Sequence, residues 1–150
     1  MFFNTAECKL PNRGITAAHP QKIPFEKMIQ SIAGQYKVGL SDVNSSLGQE
    51  TCSQFRGEFG DDQVTFIACD VTSLTSVYIL WKETIEFFKT NSIDLWVNNA
   101  GVMGEKEGWN KCIDINLFGV LNGITTVMAN TPAEADKVTI RKSYVKKRTV

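Results

Sequence analysis

Apolar positions recur at two periods along this chain. Between Phe25 and Gly34 they fall at Phe25, Met28, Ile29, Ile32 and Ala33, which is helical spacing with a glycine stop. Lys37 to Val43 is short and β-leaning and ends beside an acid. Asn44-Ser45-Ser46 then supplies N-cap candidates for a helix running to about Phe59. Gly60-Asp61-Asp62 reads as a turn, and Val64 to Cys69 as a strand buried on both faces. Ser73 caps a longer helix to about Thr90, with Leu74, Val77, Leu80, Trp81, Ile85 and Phe88 on one face. Asp94 to Val97 is another short buried strand. After a loop from Asn98 to Gly108, Trp109 to Met128 reads as a helix.

Both ends lack this regularity. Pro11, Pro20 and Pro24 punctuate residues 1–24, with a turn at Asn12-Arg13-Gly14, and no strand is evident there. Residues 130–150 lose the pattern again. The reading is therefore an atypical segment over 1–24, a patterned domain over 25–129, which the resemblance described below implies is a partial dinucleotide-binding domain, and a basic tail over 130–150. Short strands alternating with helices predict βαβ units and a parallel α/β sheet with right-handed crossovers.

Composition narrows the class. With 150 residues, 43% apolar and 21% charged, the chain can bury a core and is no disordered or low-complexity polymer. No run of 18 apolar residues suggests a membrane span, and MFFNTAECKL does not resemble a signal peptide. Cys8, Cys52, Cys69 and Cys112 are scattered and His19 is the single histidine, so no metal spacing is present; reduced thiols and a cytoplasmic location are expected. The formal charge is zero, which argues against a nucleic-acid surface. It hides an asymmetry: all 16 acids precede residue 137, and six of the 16 basic residues, Lys137 to Arg148, follow.

In an open parallel sheet, ligands bind at the carboxyl ends of the strands. Three such ends carry distinctive residues here: Asp42, then Asp70-Val71, then Asn98-Asn99-Ala100-Gly101. A carboxylate after the second strand of a dinucleotide fold accepts both ribose hydroxyls of an adenosine and repels a 2′-phosphate, selecting NAD over NADP. Asp70-Val71 suits an adenine ring held by a carboxylate and a backbone amide; Asp70 serves equally well as a cap for the next helix. Asn98 and Asn99 suit a sharp turn, and the small Ala100 and Gly101 allow close backbone approach. Gly119 and Gly123 form GxxxG, which outside a membrane marks close helix packing.

These residues resemble the short-chain dehydrogenase/reductase family. Asn98-Asn99-Ala100-Gly101 is similar to its NNAG motif, Cys69-Asp70-Val71 to its adenine-side motif, and Cys112 to Leu117 to the segment bearing its catalytic-site asparagine, here Asn116. Lys37 to Asn44 and Asn98 to Trp109 look most like the hydroxyprostaglandin and insect-type alcohol dehydrogenase branches. The resemblance covers about 37–128. It implies a partial Rossmann-like doubly wound sheet and an NAD-dependent oxidoreductase interconverting a secondary alcohol and a ketone. The cofactor is then held by Asp42, Asp70, Val71, Asn98, Ala100 and Gly101, Asn116 joins the proton relay, and the helix Trp109–Met128 contributes to a homodimer or heterodimer. Neither nucleic acid nor membrane is an expected partner.

Departures from the family are as informative. Where its glycine-rich first turn belongs, this chain has Ala18, Lys22 and Pro24, which block close approach and remove an amide donor. By family spacing the Tyr-x-x-x-Lys pair falls beyond Val150, and Tyr144 is followed at the fourth position by Arg148. The expectation is a central part of such an enzyme, truncated and inactive alone; the alternatives are a non-catalytic dimerisation module and an unstable fragment.

Overall fold

A computed structural model describes residues 4–9, 36–102, 108–133 and 138–142. The expected helix from Phe25 to Gly34, the turn at residues 12–14, the positions of Ala18, Lys22 and Pro24, and Tyr144 lie outside the described residues. The elements are β1 (Asn4–Lys9), β2 (Tyr36–Asp42), α1 (Ser45–Phe59), β3 (Val64–Ala68), α2 (Leu74–Phe88), β4 (Leu95–Asn98), α3 (Trp109–Asn130) and β5 (Thr139–Lys142).

The caps act as their chemistry predicts. Asn44 Oδ1 accepts from Leu47 N at 3.1 Å and starts α1. Ser73 Oγ accepts from Ser76 N at 3.3 Å and starts α2. Gly60, at φ 109°, ends α1 in a backbone region closed to most side chains. Lys89 at φ 52° ends α2, a left-handed position taken by a residue other than glycine.

Five strands form one sheet in the order β3-β2-β1-β4-β5. The pairs β2–β3 and β4–β5 are parallel, as βαβ patterning requires. Alternate residues point to opposite faces. Val38, Leu40 and Val64 pack with Cys52 and Phe55 of α1 on one face, joined by Phe66. On the other, Ile67 and Trp96 join Val77, Leu80, Trp81 and Phe88 of α2 and Val127 of α3. The result is three layers, helix over sheet over helices, each face of the sheet covered by the helix stripe that the sequence periodicity marked.

Two strands depart from the sequence reading, and both lie in the segments read as unpatterned. β5 sits within the stretch read as a basic tail. It is only four residues long and is placed by β4, with Thr139 N donating to Asp94 O at 2.8 Å. β1 lies in the segment where no strand was evident. It occupies the centre of the sheet and runs antiparallel to both neighbours: Asn4 pairs with Ser41 and Lys9 with Tyr36, while Thr5 and Glu7 pair with Val97 and Leu95. The expected all-parallel sheet is thus a mixed one, since a short strand can be laddered in either direction by its neighbours' open edges.

Candidate cofactor-binding site

The carboxyl ends of β2, β3 and β4 converge on one cleft of about 270 Å³. Asp42, Asp70, Val71, Ala100 and Gly101 all line it, with Lys111 and Ile115 of α3 closing one side. Five of the six expected cofactor residues therefore share one wall, although they are up to 59 positions apart in sequence. Asn98 is the exception.

Asp42 is the last residue of β2 and is 9% exposed. Its Oδ1 accepts from Asn44 N at 2.8 Å, and its carbonyl accepts from Cys69 N at 3.1 Å. The Asx-type bond and the β2–β3 ladder fix the carboxylate at the cleft wall before any ligand arrives.

Asp70 does not cap α2; Ser73 does. Its Oδ1 instead accepts from both the backbone N and the Oγ1 of Thr72, at 2.9 and 2.8 Å. Asp70 N donates to Ser76 Oγ at 3.0 Å, and Val71 O accepts from Asn122 Nδ2 at 2.8 Å. The segment is thereby tied to both α2 and α3. Among the described residues Asp70 Oδ2 and the Val71 N–H make no hydrogen bond. They are an acceptor and a donor side by side, the pair that an adenine amino group and ring nitrogen require.

Asn98 faces away from the cleft. Its side chain is 2% exposed and Oδ1 accepts from Trp96 Nε1 at 2.9 Å, two residues back on the same face of β4. It is not among the residues that line the cleft, and its Oδ1 packs beneath α3. A β carbon on Gly123 of α3 would collide with that Oδ1 and stand 2.6 Å from Trp96 Nε1. A β carbon on Gly119 would stand 2.7 Å from Val71 Cγ2. The GxxxG pair thus marks close packing, of α3 against the end of β4 and against the loop after β3.

Asn116 sits in a π-helical turn, Asp114–Phe118, within α3. Such a turn inserts one extra residue per cycle and reorients a side chain. Asn116 Oδ1 accepts from Val102 N, and its Nδ2 donates to Val102 O, both at 2.8 Å; Nδ2 also reaches Cys112 Sγ at 3.1 Å. The amide therefore clasps one peptide of the loop after Gly101 at two points. In this geometry it positions the loop, and both of its polar atoms are engaged there.

The cysteines are not poised for chemistry by burial alone. Burial pushes the Cys69 thiol up to about 11, opposed by its hydrogen bond with Ser76 and reinforced by the Asp70 carboxylate. Burial also raises Cys52, with the Arg56 guanidinium pulling the other way. Among the described residues no group of three or more His, Cys, Asp or Glu side chains converges as a metal site.

A Tyr-x-x-x-Lys spacing is present after all, at Tyr78 and Lys82, where the sequence reading placed none within the chain. It lies on an exposed part of α2: Tyr78 is 43% exposed and stacks on Trp81 at 6.2 Å, and Lys82 reaches Glu86 at 3.7 Å. Neither residue lines the cleft. Spacing alone would have flagged it; the helix face that it occupies separates it from the strand ends.

Similarity to known proteins follows the same residues. The family model for short chain dehydrogenase matches residues 26–139. The human 15-hydroxyprostaglandin dehydrogenase [NAD(+)] is 33% identical over 87 residues, covering 58% of this chain and 32% of that protein. Zerumbone synthase from Zingiber zerumbet is 36% identical over 97 residues, covering 59% of this chain and 34% of that protein. The chain thus spans about a third of the length of these relatives. Among solved structures, a short chain dehydrogenase from Mycobacterium smegmatis aligns at TM-score 0.53 with 28% identity, over 60% of this chain and 39% of that one. The fold is also that of a short chain dehydrogenase/reductase from Burkholderia phymatum solved with NAD, at TM-score 0.58 and 21% identity over 69% of this chain and 38% of that one. With the strand-end cleft, the NNAG turn and a family match across most of its length, this chain belongs to the short-chain dehydrogenase family of oxidoreductases.

Proposed function

We propose that the chain carries the adenosine-binding flank of an NAD-preferring oxidoreductase acting on a secondary alcohol or ketone, of the hydroxyprostaglandin type named for its mammalian relatives, and that this chain alone does not turn alcohol over. The observation that carries the reading is the Asp42 carboxylate, buried at the end of β2 and held in the wall of the cleft. A carboxylate there accepts ribose hydroxyls and repels a 2′-phosphate. Asp70 Oδ2 and the Val71 N–H supply the adenine contacts beside it. Catalytic inactivity is supported by the cleft lining, which among the described residues holds no tyrosine and, as its one lysine, Lys111.

Calorimetric titration tests this. NAD⁺ binds more tightly than NADP⁺, and Asp42→Ala weakens NAD⁺ by roughly ten- to a hundredfold, the worth of a charge-assisted hydrogen bond. Equal affinity for the two dinucleotides, or an Asp42→Ala variant that binds like the parent, overturns the reading. Oxidation of a secondary alcohol by the chain overturns its inactive part.

A second reading, a dimerisation module, is favoured by the outer face of α3. Trp109, Ile113, Leu117, Phe118, Leu121 and Met128 are between 46% and 73% exposed. By length and composition this 22-residue helix is also apolar enough to cross a membrane. Here its other side packs on the sheet and on α2, burying Gly119, Gly123, Thr126 and Val127. An apolar stripe of this kind suits a second helix pair. Sedimentation that reports a dimer, and a monomer for Leu117→Glu with Leu121→Glu, supports it; a monomeric parent chain rejects it.

A further inference from the structure

Asn122 Nδ2 of α3 donates to the Val71 carbonyl at 2.8 Å, across 51 positions of sequence. We infer that Asn122 is a positioning residue for the base end of the cleft: it aims the Asp70 carboxylate and the Val71 N–H through one shared peptide. The inference rests on the adenine contacts proposed for those two groups.

The Val71–Thr72 peptide is bonded at both ends. Its N–H, on Thr72, donates to Asp70 Oδ1 at 2.9 Å, and its carbonyl, on Val71, accepts from Asn122. A peptide is a rigid plane, so its two ends turn together. When α3 fixes the direction of the carbonyl it fixes the N–H as well, and with it the carboxylate oxygen that the N–H holds. Thr72 Oγ1 donates to the same Oδ1 at 2.8 Å. Oδ1 is thus engaged twice, and Oδ2 is left as the acceptor for the cleft that Asp70 lines.

Val71 is gripped from both sides. Its side chain rests against Gly119, where a β carbon would stand 2.7 Å from Val71 Cγ2. Asn122 follows Gly119 by three positions, so side-chain contact and carbonyl bond come from one face of α3. On the other side, the Asp70 N–H donates to Ser76 Oγ of α2 at 3.0 Å. The peptide that carries the Val71 N–H therefore lies between two anchored peptides and has little rotation left. Of these anchors, Asn122 is the one that acts on the shared peptide from outside the loop.

The test compares two dinucleotides that differ at the base. Nicotinamide hypoxanthine dinucleotide carries an oxo group where NAD⁺ has the adenine amino group, so it offers a carboxylate no donor there. Calorimetry of the full chain is expected to show a preference for NAD⁺. Asn122→Ala removes the bond while favouring the helix. It is expected to weaken NAD⁺ about tenfold and the hypoxanthine analogue by less than about threefold, so that the preference collapses. Asn122→Asp, of the same size but without the donor, is expected to do the same. Asn130→Ala is the control: it deletes another amide-to-carbonyl bond of α3, Asn130 Nδ2 to Thr126 O at 2.8 Å, and should keep the parental preference. Without ligand, Asn122→Ala should speed amide exchange at Thr72, and Asn130→Ala should not. A preference for adenine that survives both Asn122 variants, or unchanged exchange at Thr72, overturns this inference and leaves the adenine contacts standing. A parent chain that binds the two dinucleotides equally, or neither of them, overturns both.

Discussion

Strand β2 has parallel β3 on one side and antiparallel β1 on the other. On the β3 side every link is local. β2 ends in Asp42, Asn44 caps α1, α1 returns the chain, and β3 enters beside β2 with Val38 opposite Val64. On the β1 side the two strands are antiparallel, and 26 residues separate them in sequence. The first flank carries Asp42, Asp70 and Val71, which line the cleft. The second is antiparallel, with Asn4 beside Ser41 at the cleft edge and Lys9 beside Tyr36 at the opposite edge.

Substitutions can break or sharpen this contrast. The largest effect is expected at Trp96, fully buried in β4 beneath α3. Trp96→Ala should cost about 3–5 kcal/mol in urea unfolding, since both the removed surface and the cavity count. A loss under about 1 kcal/mol would show that the β4 core is not packed as described. Next is Ala6→Pro in β1. Ala6 lies between Gly39 and Trp96, so proline removes a ladder donor from the middle of the sheet. The expected cost is about 3 kcal/mol, similar to proline in a helix interior. Unchanged stability would remove β1 from the centre and restore a vacant slot for a parallel strand.

Gly123→Ala comes third. Its methyl would meet Asn98 Oδ1 and Trp96 Nε1 well inside contact distance, so α3 must shift, for about 1–3 kcal/mol. Asn116→Ala follows at about 1–2 kcal/mol, with faster amide exchange at Val102 as its particular signature, because the two bonds to that peptide are lost. Unchanged exchange at Val102 would remove Asn116 from its positioning role.

The smallest effect at neutral pH belongs to Cys69. Its folded thiol ionises at about 11 against an ordinary value of 9.0. The stability that this burial confers is complete below about pH 9. It is lost as pH rises through 11, because the unfolded chain releases the proton first. Cys69→Ala should therefore flatten the alkaline fall in stability between those values, measured by chemical unfolding at stepped pH.

Much of the β2-to-α3 block was legible from the residues. Alternation in Val38, Leu40, Val64 and Phe66 and the helical stripe Val77, Leu80, Trp81, Phe88 are periodic signals, and a period reports which face is buried. Asn44 and Ser73 were readable as caps because a short polar side chain before an apolar stripe has few other uses. Asp42, Asp70, Val71, Ala100 and Gly101 were readable as one site through the rule that open sheets bind ligands at strand ends. The burial of Asn98 was not readable, because side-chain facing on a four-residue strand depends on its last step, and Trp96 Nε1 donates to its amide oxygen. Ser73 and Asp70 compete for one cap, and only backbone geometry decides between them.

By itself, then, the sequence determined the alternation of elements, the faces they bury and the family to which its motifs belong, because these follow from short-range periodicity and spacing. Only the tertiary structure decided that β1 and β5 exist, that β1 lies reversed at the centre of the sheet, and that Asn116 grips Val102. A strand of four to six residues without strong periodicity gains its direction from its neighbours' open hydrogen-bonding edges. Those edges exist only once the rest of the sheet has formed.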